Sequence, residues 1–146
     1  MRQYARNACG TIALFHIILN AASKYPDMVV PGSYLDTFKT NSKTIDPKAR
    51  GELFKNSKEI LTHHQEAVVG GQSEVQNECD SHFIAIINHQ DKLIELDGMK
   101  EAPVDHGECT PEDFLKKGSG LISQFMQRDP NPICPILSYL QLHPLW

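Results

Sequence analysis

The 146-residue sequence predicts an α+β fold, in which a buried helix packs on an antiparallel sheet and further helices surround both. Two features carry this prediction. An apolar run over 12–22 stops before Pro26 and has the length of a helix. Farther along the chain, two β-branched runs over 81–88 and 92–98 flank a turn at 88–91, which is the pattern of a β-hairpin.

The first helix is expected to be buried on every side and to begin at a nucleophile. Its apolar residues cover the whole helical circumference instead of one stripe; they are Ile12, Leu14, Phe15, Ile17, Ile18 and Leu19. Cys9 would lie at or just before the N-terminus, where unpaired N–H groups and the helix dipole stabilise a thiolate. Gln3 is close enough in the chain for its side-chain amide to share an oxyanion site with the Cys9 backbone N–H.

The hairpin supplies a base for this nucleophile. His82 stands at its start, and antiparallel pairing about the turn sets it opposite Asp97 or Gly98. A carboxylate that holds one imidazole nitrogen fixes the tautomer and leaves the other nitrogen free to deprotonate a thiol. Together with Cys9 and Gln3, these residues predict the active site of a cysteine protease.

Capping residues predict two or more helices between the first helix and the hairpin. Ser33 can cap a short helix through about 38 or 39, followed by a loop at 41–44. Asp46 and Pro47 are of the types preferred at the N-cap and first position of the next helix. That helix is expected to run toward residue 68, with a break near 56–57.

After the hairpin, the sequence predicts a loop over 99–109 and then a last helix. We interpret His106 as structural or solvent-facing, because no hairpin fixes a carboxylate beside it. Thr110 and the proline after it begin the helix, which is expected to pause near 118–120 and to end before 129. A strand could follow at 133–140, although Pro135 would restrict it to an edge or an early position.

Composition excludes several classes of function. The formal net charge is -4 with both signs mixed, which favours neither nucleic acid nor an anionic membrane as a partner. No segment reaches the roughly 18 apolar residues that a membrane span needs. The cysteines form neither a C-x-x-C pair nor a zinc spacing, and His63 and His64 are expected to be solvated, so we predict no metal and no cofactor. Reduced thiols in the cytoplasm or nucleus are favoured over disulfides; the four cysteines are Cys9, Cys79, Cys109 and Cys134.

An alternative interpretation of the N-terminus is a secretory signal peptide. Arg2 and Arg6 precede the apolar run, and small residues at 20–23 resemble a cleavage site. Cleavage there would discard Cys9 and leave the histidine and aspartate of the hairpin without a nucleophile. The catalytic interpretation is therefore preferred.

Four sequence blocks resemble the ubiquitin C-terminal hydrolases, a family of papain-like thiol peptidases, in order and spacing. They are the glutamine with Asn-x-Cys-Gly-Thr, the His-Phe-Ile that opens the hairpin, Glu-Leu-Asp-Gly, and Pro-Val-Asp-His-Gly at 103–107. The resemblance covers residues 3 to about 129 and implies a papain-like fold. Carried over by position, it implies Cys9 as nucleophile, His82 as general base, Asp97 as the residue that orients His82, and Gln3 as oxyanion donor.

The resemblance also implies an activity. It is that of a monomeric deubiquitinating thiol hydrolase, without a cofactor, that cleaves ester, thioester, amide or peptide bonds at the C-terminal glycine of ubiquitin or a ubiquitin-like modifier. The polar stretch over 70–80 matches the family's crossover loop, which limits the leaving groups that can thread past the active site. Its marker residues here are Gly70, Gly71, Asn77 and Asp80.

The chain departs from the family pattern in two respects. Tyr4 and Arg6 stand where the family usually has threonine and glycine, which affects the local shape of the loop. Family members also carry several tens of residues before the glutamine, so 1–146 is expected to be one catalytic domain truncated at its N-terminus. Two alternatives stay open: an inactive fragment or non-catalytic ubiquitin-binding remnant, and a papain-like thiol hydrolase that acts on another substrate.

Overall fold

The computed structural model describes residues 1–5, 8–70 and 82–128, and it confirms the α+β class. Within these ranges, five α-helices, one 3-10 turn at Pro26–Met28 and a three-stranded sheet follow one another. The helices are α1 (Cys9–Ala21), α2 (Tyr34–Ser42), α3 (Pro47–Lys55), α4 (Lys58–Gly70) and α5 (Phe114–Arg128). The strands are β1 (Ala85–His89), β2 (Lys92–Leu96) and β3 (Val104–Glu108).

The predicted hairpin forms from β1 and β2. Ala85 pairs with Leu96 at one end and His89 with Lys92 at the other. The turn contains only two residues, at 90 and 91, and both have positive φ (50° and 56°), as a tight hairpin turn of type I′ requires. This turn fixes the register, and the register determines which residues of the two strands face each other.

The predicted loop over 99–109 is wrong, because Val104–Glu108 forms β3 and pairs antiparallel with β2. Ile94 lies opposite Asp105, and the register shifts between Lys92 and Ile94. The strand has no apolar alternation, since all of its residues after Val104 are exposed. Backbone pairing and polar contacts with β2 hold β3 in place. Neither kind of interaction is visible in a sequence pattern of apolar residues, so β3 could not be predicted from that pattern.

The first helix is less enclosed than predicted. Helix α1 packs against β1, and Ile12, Ala13 and His16 are buried. Leu14, however, is 55% exposed, so the prediction of burial on every side is wrong. Among the described elements, the sheet packs on one face of α1 and the following helices pack on another, and the face that carries Leu14 stays exposed to solvent.

An aromatic cluster forms the core between α1 and the helices that follow. Phe15 of α1 meets Phe38 of α2 and Phe54 of α3 edge-to-face, with ring centroids 5.3 and 5.2 Å apart. Tyr34 stands 6.1 Å from Phe38, and Ile60 of α4 closes the cluster. Edge-to-face pairs of this kind add stability beyond the area that they bury, so the cluster ties α1 to three other helices.

The capping predictions for α2 and α3 are confirmed. Ser33 Oγ accepts a hydrogen bond from the Asp36 N–H (3.3 Å), and Asp46 accepts from the next two free N–H groups of α3 at 2.8 and 3.0 Å. The break near 56–57 separates α3 from α4 as predicted. Helix α2 continues to Ser42, which corrects the predicted loop at 41–44, because Arg50 Nε donates to the Ser42 carbonyl (2.8 Å) and satisfies the helix end.

The last described helix begins later than predicted and does not pause. Residues 111–113 form a turn in which Thr110 Oγ1 accepts from the Asp113 N–H (3.3 Å), and α5 then runs through 118–120 without interruption. Leu121 packs against Leu93 and Cys109, and this tertiary contact outweighs the low helix propensity of the glycines. Gly70 ends α4, whereas Gly71, Asn77, Asp80 and the predicted strand at 133–140 lie outside the described residues.

The segment before α1 bridges α3 and the connection between β2 and β3. The Arg2 N–H donates to the Pro47 carbonyl (3.0 Å), and the Gln3 N–H donates to the Gly98 carbonyl (2.8 Å). Gly51 of α3 makes this approach possible, because a Cβ there would lie 2.3 Å from the Arg2 carbonyl oxygen and 2.9 Å from the Tyr4 ring. A small residue in α3 thus determines where Gln3 lies.

We therefore expect Gly51→Ala to destabilise the fold by about 1–2 kcal/mol, as overpacking does, although alanine is the better helix former. The added methyl group would push the backbone at Arg2 away from α3 and take Gln3 with it. Urea unfolding measures the effect. Gly120→Ala is the matched control, because a Cβ there meets no atom within 4 Å, and it should gain up to about 1 kcal/mol. Equal gains for both variants would contradict the role given to Gly51.

Among the helices of the described ranges, none is both long and apolar enough to cross a membrane.

Candidate active site

Cys9 is the first residue of α1, and this helix start differs from the two that follow. The N-cap is Ala8, which provides no side-chain hydrogen bond, and the first turn carries no acidic residue. Both α2 and α3, by contrast, are capped by a side-chain oxygen. At α1 the N-cap position therefore supplies no oxygen of its own, and a thiolate at Cys9 or a substrate oxyanion can take that place. The Cys9 thiol is free and half-buried.

The hairpin brings His82 and Asp97 together. His82 Nε2 donates to Asp97 Oδ1 at 2.7 Å, and the Met99 N–H donates to the same oxygen at 2.8 Å. The Asp97 side chain is 8% exposed and that of His82 is 40% exposed. The carboxylate is therefore enclosed and fixed, while the imidazole keeps an open side. Because Nε2 faces Asp97, Nδ1 is the nitrogen left to accept a proton.

The start of α1 faces the start of the hairpin. A Cβ added to Gly10 would lie 3.8 Å from the ring of Phe83, so the residues next to Cys9 and next to His82 are neighbours. Within the described part of the chain, Cys9 Sγ makes no hydrogen bond to His82. Catalytic hydrogen bonds are often long without substrate and tighten in the complex, so this arrangement is compatible with a thiol and base that engage on binding.

Gln3 meets the hairpin at Gly98. Besides their backbone hydrogen bond, a Cβ at Gly98 would lie 3.0 Å from Gln3 Cβ and 3.3 Å from Ile12 Cγ2 of α1. Glycine is needed here so that the three segments can approach one another. Gln3 Nε2 donates to the Ala5 carbonyl (3.2 Å), and Gln3 Oε1 is buried without a hydrogen-bond partner among the described residues. The amide has a second N–H, which can donate to an oxyanion while the first stays on the Ala5 carbonyl.

His16, which the sequence analysis did not single out, is buried on α1 behind this site. Its Nε2 lies 2.9 Å from the Met1 amine, and burial followed by the charge of that amine lowers the pKa of His16 to about 4. The backbone of Leu96 and the charge of the Asp97 carboxylate favour the protonated imidazole and so oppose this lowering of the pKa. Within the described ranges, His16 Nδ1 makes no hydrogen bond of ordinary geometry. His16 is therefore neutral in the folded protein at pH 7.

We expect this histidine to make the fold sensitive to acid. Between pH 6.5 and 4, histidine binds a proton in the unfolded chain but not in the folded one, so stability falls as the pH falls. The loss amounts to about 3 kcal/mol by pH 4. Urea unfolding of wild type and His16→Gln between pH 7 and 4 measures it. If the variant lost as much stability as the wild type, the buried neutral His16 would not be the cause.

A second histidine–carboxylate pair lies on the face of the sheet toward α5, where sequence reasoning expected none. His106 of β3 donates through Nε2 to Glu95 Oε2 at 2.9 Å. The interpretation that no carboxylate is fixed beside His106 is therefore wrong, and its cause is the missed strand β3. The sequence of β2 already indicated a buried carboxylate. Glu95 lies two residues after Leu93 in the strand, so the two side chains share the buried face.

No three His, Cys, Asp or Glu side chains come together as metal ligands in the ranges that the structure describes. His63 is exposed and pairs with Glu66 at 3.1 Å, while Cys79 and Cys134 lie outside those ranges.

Comparison with known proteins identifies the family. The family model for ubiquitin carboxyl-terminal hydrolases, family 1, matches residues 1–127. The chain belongs to this family. It is 33% identical over 133 residues to ubiquitin carboxyl-terminal hydrolase 3 of Arabidopsis thaliana, covering 91% of the chain and 56% of the relative. A Drosophila melanogaster ubiquitin carboxyl-terminal hydrolase is 34% identical (91% and 58%), and human isozyme L1 is 30% identical (91% and 59%).

The fold of this family member is also that of solved structures. The catalytic domain of Trichinella spiralis UCH37 bound to ubiquitin vinyl methyl ester superposes with a TM-score of 0.68 at 25% identity, covering 87% of this chain and 55% of that one. The predicted papain-like architecture is thereby confirmed. The chain spans little more than half the length of these relatives.

Proposed function

We propose that the chain is a deubiquitinating thiol hydrolase, which cleaves ester, thioester, amide or peptide bonds at the C-terminal glycine of ubiquitin or a ubiquitin-like modifier. The observation that carries the proposal is the His82–Asp97 hydrogen bond at the hairpin end that faces the start of α1, where Cys9 lies. Membership of the ubiquitin carboxyl-terminal hydrolases supports ubiquitin as the substrate class.

In the proposed reaction, His82 Nδ1 removes the thiol proton of Cys9, and the thiolate attacks the carbonyl carbon of the C-terminal glycine. The backbone N–H of Cys9 and the Gln3 amide donate to the oxyanion. The imidazolium then gives its proton to the departing amine, alcohol or thiol, and the C–N, C–O or C–S bond breaks to leave a thioester on Cys9. Water, deprotonated by His82, hydrolyses the thioester, while Asp97 holds Nε2 throughout.

The segment that follows α4 is proposed to limit the size of the leaving group. It runs from Gly70 through Gly71 and Asn77 to Asp80 and enters the hairpin directly before His82. A leaving group that must thread past this segment has to be small or unfolded. The expected result is that the rate of cleavage falls as the folded protein fused to ubiquitin becomes larger.

We further propose that the protein works as a monomer in the cytoplasm or nucleus and takes part in ubiquitin-dependent protein catabolism, without nucleic acid, membrane or cofactor as partner. The cytoplasm and nucleus keep thiols reduced, which protects a thiolate nucleophile from oxidation. Cys9 and Cys109, the two cysteines within the described residues, are both free thiols.

The decisive experiment treats the 146-residue chain and its Cys9→Ala variant with ubiquitin that carries a C-terminal thiol-reactive group. We expect a covalent adduct with wild type only, seen as a mass increase of one ubiquitin. No adduct from a folded protein would overturn the ubiquitin assignment, and a Cys9 that is still alkylated rapidly by iodoacetamide would then indicate a thiol hydrolase for another substrate. No adduct from an unfolded chain, seen by circular dichroism, would show that the chain alone is not an active enzyme.

A further inference from the structure

A buried carboxylate lies two residues before Asp97, and none of the proposed catalytic steps uses it. Glu95 is 2% exposed and lies on the face of β2 that packs toward α5, beside Leu93. Placing a carboxylate in such a core costs several kcal/mol unless both oxygens are paired. Apolar side chains of similar volume often replace buried ion pairs without loss of stability, so stability alone is a weak reason for Glu95.

Both oxygens of Glu95 hold the connection that Asp97 begins. Oε1 accepts from Lys100 Nζ at 2.5 Å, and Oε2 accepts from His106 Nε2 at 2.9 Å. Lys100 lies within the β2–β3 connection and His106 lies in β3 beyond it, so the carboxylate ties the middle of the connection to the strand that follows. The His106 ring in turn meets Phe125 of α5 edge-to-face, with centroids 6.3 Å apart.

The connection is fixed at its start, where the Gly98 carbonyl accepts from the Gln3 N–H (2.8 Å) and the Met99 carbonyl accepts from Arg2 Nη1 (2.6 Å). Beyond Met99, the contact of Lys100 with Glu95 takes over this role. Every residue over 99–103 is exposed, so no apolar side chain anchors it. Two of its own hydrogen bonds converge on Asp97: the Met99 N–H donates to Oδ1 (2.8 Å), and the Lys100 N–H donates to the Asp97 carbonyl (3.2 Å). The position of Lys100 therefore affects the position of Asp97 directly.

We propose that Glu95 is a positioning residue, which clamps Lys100 and His106 so that the β2–β3 connection holds Asp97 against His82 Nε2. The effect of Glu95 on catalysis rests on the proposed function, because the orientation of His82 limits a rate only if His82 is the catalytic base. The structural part does not depend on the substrate. Without the clamp, Asp97 loses its fixed direction, and His82 no longer keeps its proton on Nε2.

The test compares Glu95→Gln and Lys100→Met with wild type in the full chain. Glu95→Gln removes the buried charge and keeps the shape of the side chain, so it should stay folded even if Lys100→Met, which leaves one oxygen of the buried Glu95 carboxylate unpaired, does not. The matched control is Lys92→Met. It removes another ion pair between β2 and β3, that of Lys92 with Asp105 at 2.5 Å. Lys92 is the first residue of β2, at the opposite end of the strand from Asp97.

Nitrogen-15 NMR of the His82 ring, assigned by comparison with His82→Gln, reports the tautomer without any substrate. We expect wild type and Lys92→Met to carry the proton on Nε2. In both clamp variants the ratio of Nε2–H to Nδ1–H should fall about tenfold, with kcat on a ubiquitin substrate falling about tenfold and KM within about twofold.

A folded Glu95→Gln or a folded Lys100→Met with an unchanged His82 tautomer and unchanged kcat would overturn the proposal. A loss of stability without a change in tautomer would do so as well, since it would make the cluster merely structural. A wild-type protein that shows the Nε2–H tautomer but does not cleave ubiquitin would instead reject the proposed function and leave the positioning role standing.

Discussion

Replacing His82 by glutamine should lower the rate of ubiquitin cleavage by at least about 10²–10⁴-fold, which is what general acid–base catalysis contributes. Glutamine keeps an N–H that can donate to Asp97, but it cannot accept the thiol proton of Cys9. The His82 side chain is 40% exposed, so the fold should survive the change. Hydrolysis of a fluorogenic amide at the ubiquitin C-terminus measures the effect, and thermal unfolding checks the fold.

His63→Gln is the matched control for this prediction. His63 also pairs with a carboxylate, Glu66 at 3.1 Å, but on the exposed surface of α4, where such a pair contributes little. Its replacement should leave the rate within about twofold of wild type. A His82→Gln protein that kept a tenth or more of the activity would show that another group takes the proton from Cys9.

The pairing of His82 with Asp97 could be predicted because it depends on local information. A tight turn fixes the register of the hairpin, and the pairing of Ala85 with Leu96 carries Asp97 to the level of residue 84, two residues along the chain from His82. Two residues fifteen positions apart thus come within reach of each other without knowledge of the rest of the fold. The start of α1 at Cys9 was equally accessible, since an apolar run with helical length marks it. Their catalytic roles stay predictions.

Contacts between distant segments could not be predicted in the same way. Strand β3 is polar and exposed, and only its pairing with β2 makes it a strand, so the Glu95–His106 pair was missed with it. The approach of Gln3 to Gly98 depends on Gly51 in α3, which no spacing in the sequence connects to the active site. Periodicity also gives no measure of how many neighbours a helix has, and the exposure of Leu14 could not be predicted for that reason.

Replacing Phe54 by alanine should destabilise the protein by about 3–5 kcal/mol, the usual cost of removing a buried phenylalanine. Phe54 is 2% exposed, and its ring meets Phe15 at 5.2 Å and Phe38 at 6.4 Å, both edge-to-face. The cavity would lie between α1, α2 and α3, so two aromatic contacts would be lost along with the transfer free energy. Urea unfolding at pH 7 measures the change.

Leu14→Ala is the control, because it also shortens an apolar side chain but on the open face of α1, and it should cost less than about 1 kcal/mol. The comparison tests more than stability. Phe15 lies on the helix that begins at Cys9, so the aromatic cluster determines how α1 is seated against the hairpin. Folded Phe54→Ala should therefore react more slowly with a ubiquitin probe than folded Leu14→Ala. Equal losses of stability in the two variants would contradict this view, since the core would then not depend on the cluster.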